Sequence, residues 1–67
     1  MIIRIHNGDN EADPIICDYE AVGSFEQCEA GARVKCSSKP GIDGKRVYVR
    51  FINREMGIST TRIFNLV

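Results

Sequence analysis

The sequence predicts a small α+β domain that is mostly β: an antiparallel or barrel-like sheet of four to five strands with one short helix. Three observations carry this. The chain has 67 residues, which is one domain's worth, and 43% of them are apolar, enough for a folded core. Several short segments are rich in β-branched and aromatic residues and alternate with period two. A single stretch, Ser24-Phe25-Glu26-Gln27, carries a helix-start signal.

Met1 to His6 reads as the first strand, with Ile3 and Ile5 on one face. Asn7-Gly8 tolerates the positive φ of a tight turn, and the polar run to Asp13 then makes residues 7–14 an acidic loop closed by Pro14. Ile15 to Tyr19 is a short second strand. Ser24 and Gln27 form a capping box, and Gly31 reads as the stop of a helix of about two turns, with a strand over Gln27–Cys36 as the rival reading. Ala32-Arg33-Val34-Lys35-Cys36 alternates with period two, as does Lys45 to Phe51. The turn-forming run Ser37–Gly44 between them predicts a hairpin with a loop of about eight residues. Asn53–Ser59 is a second connection, and Thr60–Val67 the last strand.

The formal net charge is zero, yet the charge is sorted by halves. Residues 1–32 carry Asp9, Glu11, Asp13, Asp18, Glu20, Glu26 and Glu29 against Arg4. Residues 33–67 carry Arg33, Lys35, Lys39, Lys45, Arg46, Arg50, Arg54 and Arg62 against Asp43 and Glu55. The halves hold −6 and +6, an asymmetry that points to an electrostatic partner. On the predicted hairpin, burial of Val34, Cys36, Val47, Val49 and Phe51 turns Arg33, Lys35, Arg46, Tyr48 and Arg50 outward together, with Arg62 extending the face from the last strand, alongside Phe64 if that ring is not core.

Such a face has two functional readings. It docks a protein, or it binds nucleic acid by neutralising phosphates and stacking a base on Tyr48. Tyr48-Val49-Arg50-Phe51 also satisfies the last four positions of the signature strand of RNA-recognition motifs; Gly44-Lys45-Arg46-Val47 does not satisfy the first four. A solvated sheet face with no partner is the bland alternative. The acidic half either neutralises the basic face within the fold or presents Asp9, Glu11 and Asp13 to a basic partner. A small inhibitor of nucleic-acid machinery, of the kind phages encode, would use such a patch.

Sites for chemistry are thin. Asp9, Glu11, Asp13 and Glu20 fall at calcium-loop spacing, but Pro14 stands where that loop needs glycine. His6 with Cys17, Cys28 and Cys36 lacks the close ligand pairs of structural zinc sites, and offers no arranged nucleophile and base. The odd cysteine count favours reduced thiols, with one bridge and a leftover thiol as the alternative. No window suits a signal peptide or a membrane span. The sequence thus predicts a cytoplasmic, non-catalytic binding module without metal or cofactor. Its expected partner is a protein, with nucleic acid as the alternative, self-association as a third reading and no membrane.

Overall fold

The computed structural model describes residues 1–38 and 46–66. Four strands, β1 (Ile2–His6), β2 (Ile15–Glu20), β3 (Arg46–Asn53) and β4 (Ile58–Asn65), and one helix, α1 (Phe25–Ser38), follow in the order β1-β2-α1-β3-β4. The strands form one antiparallel sheet in the order β2-β1-β3-β4, so β1 and β3 are central and β2 and β4 are the edges. The small, mostly β α+β class is as expected, with four strands and a sheet open at both edges among the described residues.

Alternation decides which side chains meet the helix. Ile3 and Ile5 of β1, Val47, Val49 and Phe51 of β3 and Phe64 of β4 point to one face and are buried there. From α1, Cys28, Ala32 and Cys36 close over them, spaced four residues apart and so aligned on one side of the helix. Phe25 sits edge-on to Phe51 with ring centroids 5.0 Å apart, and Phe51 lies 6.4 Å from Phe64. The rings thus form a chain within the layer, from Phe25 in the first turn of α1 through Phe51 to Phe64, over which Arg33 of the third turn lies.

The helix start is the predicted capping box. Gln27 N–H donates to Ser24 Oγ at 3.2 Å, and Ser24 N–H donates to Gln27 Oε1 at 3.0 Å. Gly23 (φ +117°) precedes it, and a Cβ there would collide with the Gln27 amide.

The helix end departs from expectation. Gly31 lies inside the helix rather than ending it, and residues 32–36, expected as a strand, form its third and fourth turns. The strand reading of Gln27–Cys36 is overturned with it. The reason is periodic: residues four apart share a face in a helix and in a strand, so Ala32 and Cys36 fit both readings. Val34 separates them, and it is 69% exposed. The hairpin expected from residue 32 to residue 51 therefore does not exist, and most of its expected loop lies outside the described residues.

Candidate docking face

The side of the sheet away from α1 carries no second layer among the described residues. Register places its side chains in cross-strand rows. One row reads Glu20, Ile2, Ile52, Ser59. The next reads Asp18, Arg4, Arg50, Thr61. A third contains His6, Tyr48 and Ile63, and the last Arg46 and Asn65.

The second row is the electrostatic centre. Arg4 Nε donates to Asp18 Oδ2 at 3.1 Å across the β1–β2 pair. Arg50 stands directly opposite Arg4 on its other side, and no carboxylate among the described residues pairs with it. Like charges directly opposite on one face destabilise a sheet by a fraction of a kcal/mol up to about 1 kcal/mol. Among the described residues the fold thus carries an unneutralised arginine at its middle, half-buried between Tyr48 and Ile52.

Apolar surface adjoins this row. Ile2 and Ile52 are half-buried neighbours, and beyond them a cleft opens at the end of the sheet between Met1, Glu20, Val22 and Arg54. Val22 at its rim is 92% exposed. On the other flank the Tyr48 ring meets His6 edge-on at 5.4 Å.

His6 is 2% exposed. Its Nδ1 lies 2.8 Å from the Asp13 carbonyl, which only accepts, so Nδ1 carries the proton and donates. Nε2 is buried with no partner among the described residues. The ring ties the 7–14 loop to the sheet, helped by Asn7 N–H donating to the Pro14 carbonyl at 2.8 Å.

The basic residues expected to share one face are divided. Arg46, Tyr48 and Arg50 do lie together on the open side. Arg33 and Lys35 are on α1 instead: the Arg33 guanidinium stacks 4.2 Å from the Phe64 ring centroid, and Lys35 Nζ lies 4.3 Å from that of Tyr19. Arg62 also faces the helix, because it is level with Phe64, which is buried in the core rather than exposed. Its Nε is 3.3 Å from Glu29 Oε2 and its guanidinium 5.3 Å from the Phe25 ring centroid. Arg4, Ile2 and Ile52 belong to the open face and were not singled out from the sequence. The alternation of Ile2-Ile3-Arg4-Ile5-His6 put Arg4 opposite the core, but only the β1–β3 pairing sets it beside Arg50.

The acidic loop is largely occupied with itself. Asp13 Oδ2 accepts from Asn10 N–H at 3.1 Å, and Asn10 Oδ1 accepts from Ala12 N–H at 3.0 Å. Asp9 leans to Arg46 at 3.9 Å, while Glu11 is exposed. The two charged halves therefore interlock through Asp9–Arg46 and Glu29–Arg62, each exposed pair being worth little.

The three thiols lie on the helix side, and alternation sends His6 to the other side of the sheet. They form no disulfide, and no cluster of His, Cys, Asp and Glu able to hold a metal occurs among the described residues. Burial, reinforced by the neighbouring Cys17, pushes the Cys36 thiol up from its ordinary value. Burial, with the nearby thiols, does the same to the Tyr19 phenol. Cys36 is thus kept protonated and suited to packing rather than attack. No family model, curated protein or solved structure matches the chain. No helix among the described residues is long and apolar enough to cross a membrane.

Proposed function

We propose that this protein is a non-catalytic docking module whose open sheet face receives an acidic segment of a partner protein. The observation that carries the proposal is Arg50, held at the centre of that face with no carboxylate partner among the described residues and directly across from Arg4. A partner carboxylate placed over the row would bond Arg50 and relieve the like-charge neighbour. The Ile2–Ile52 row and the cleft beyond it offer an apolar neighbour residue a place to bury.

A protein partner is preferred over nucleic acid because the arginines are flanked by acid. Asp18 and Glu20 lie on the same face, and Asp9 lies near Arg46. A phosphate backbone carries its charge continuously and would be repelled by these carboxylates along the face, whereas a partner segment needs to place only one carboxylate, over Arg50. The inhibitor reading with an acidic patch draws less support, since Asp13 is bonded within its loop and Asp9 leans to Arg46. The unbridged thiols fit a reducing compartment such as the cytoplasm.

The test compares wild type with Arg50→Glu in affinity capture from native lysate, with and without nuclease. The proposal expects one stoichiometric protein retained by wild type after nuclease and lost from Arg50→Glu. Retention by both, or capture that nuclease abolishes, contradicts it.

A further inference from the structure

Two strands bound the sheet, and hydrogen bonds fix which way their backbones face. The Met1 amino group donates to the Ala21 carbonyl at 2.9 Å, and Ala21 N–H returns to the Met1 carbonyl at 2.8 Å. The odd residues of β1 therefore face β2, and its even residues face β3. Carried across the register, the even residues of β3 face β1 and its odd residues face β4. Tyr48 N–H, which donates to the Gly8 carbonyl at 2.7 Å, agrees. Val49 opposite Arg62 and Phe51 opposite Thr60 then turn the even residues of β4 inward. The amides and carbonyls of Ser59, Thr61, Ile63 and Asn65 point away from the sheet. Arg62 Nη1 donates to the Thr61 carbonyl at 3.0 Å, as a carbonyl turned to the outside allows.

The two edges are not alike. β2 has six residues, its register slips between Ile5 and His6, and Asp18 and Glu20 stand on its outward-facing positions. Short length, irregularity and charge are the usual guards against a further strand. β4 has eight residues in unbroken register, with no proline and no bulge. Its one charged side chain, Arg62, is drawn over the helix layer by Glu29 and Phe25. Ile58 and Ile63 are each 52% exposed along it.

We infer that β4 pairs antiparallel with the same strand of a second copy of this chain, about a two-fold axis through Thr61, to make one eight-stranded sheet. Because only odd residues present outward backbone groups, odd must pair with odd, which leaves few registers. Centring on Thr61 makes hydrogen-bonded pairs of Thr61 with the partner's Thr61 and of Ser59 with the partner's Ile63. It sets Ile58 against the partner's Phe64 and Thr60 against the partner's Arg62, so residues 58–64 all pair and no like charges are opposed. Centring on Arg62 puts that residue opposite the partner's Arg62 in a non-hydrogen-bonded pair, where side chains approach closest. Centring on Thr60 or on Ile63 leaves a shorter ladder within the strand.

A second copy is the occupant this edge fits, because the strand complements itself about a small residue on the axis, as an isologous interface requires. Both helices then lie on the same side of the joined sheet. The Arg4–Arg50–Thr61 rows of the two copies become one stripe, with Arg50 and the partner's Arg50 three strand spacings, about 14 Å, apart. The pairing stands whether or not the open face docks a partner.

The test is the mass of the purified chain in solution over a hundredfold concentration series, for wild type, Thr61→Lys, Thr61→Glu and an equimolar mixture of the two variants. Thr61 is exposed, so circular dichroism of both variants is expected to match wild type. Wild type moves from monomer to dimer across the series. Each variant alone opposes like charges on the axis and dimerises at least about fivefold more weakly, and the mixture regains the wild-type affinity or better. A measurement without substitution runs beside it: amide exchange at Thr61 and Ile63 slows as wild-type concentration rises, while that at Asp18 and Glu20 does not. A wild type that stays monomeric throughout overturns the proposal and leaves the edge to a strand of another protein. So does a mixture that stays as weak as its components, or protection that appears on β2.

Discussion

The two faces of this sheet are built from the same strands and differ in how their side chains are matched. On the helix side Phe51 touches Phe25 and Phe64, Cys28, Ala32 and Cys36 fill the layer, and each nearby cation lies over a ring or a carboxylate. On the open side Arg50 faces Arg4 with no counter-ion of its own among the described residues, beside half-buried isoleucines and a cleft. One face is matched within the chain, and the other is the face proposed to receive a partner. Arginine is enriched at protein interfaces and among the residues that carry most of their binding energy.

The largest effect expected from breaking the contrast is in the core. Phe51→Ala removes a ring that is 2% exposed and touches two others, and is expected to cost about 3–5 kcal/mol in urea unfolding, close to the whole stability of so small a domain. A loss under about 1 kcal/mol would mean the helix face is loosely packed.

The helix start comes next. Ser24→Ala breaks the reciprocal cap with Gln27 and is expected to cost about 1 kcal/mol. Gly31→Ala should move stability the other way by about 0.5–1 kcal/mol, because a Cβ at this mid-helix position meets nothing within 4 Å. Destabilisation by Gly31→Ala would show that α1 does not run unbroken through residue 31.

The smallest effect is on pH dependence. The Cys36 thiol is raised in the folded state, so the folded chain holds its proton where the unfolded chain, near the ordinary value of 9.0, gives it up. Stability from this group is whole below pH 9.0 and declines as pH rises through the higher folded value. Cys36→Ala should flatten that alkaline decline, measured as unfolding free energy against pH. An equal slope in both proteins would assign the decline elsewhere, with Tyr19 the next group to test.

Much of this contrast was legible in the chain. Alternation in Ile2–His6 and in Arg46–Phe51 gave the buried side correctly and set Arg46, Tyr48 and Arg50 on the other. The capping box located the start of α1. The helix length was misread because Gly31 resembles a stop and because Ala32 and Cys36 satisfy both periods. That single misreading carried Arg33 and Lys35 onto the wrong layer. Arg62 went astray through Phe64: once that ring is placed in the core, its neighbour two positions away must face the helix too. Strand order was the other missing piece. Nothing local in the sequence says that β1 pairs with β3, and without that pairing Arg4 and Arg50 are two unrelated residues.

The measurement closest to the central claim is the urea unfolding free energy of Arg50→Thr against wild type at one protein concentration. If Arg50 serves a partner and not the fold, exchanging it for a neutral strand-former leaves stability unchanged or raises it by up to about 1 kcal/mol, as the like-charge neighbour of Arg4 disappears. A loss of more than about 1 kcal/mol would show that Arg50 holds the sheet together, and would contradict its assignment as the centre of a docking face.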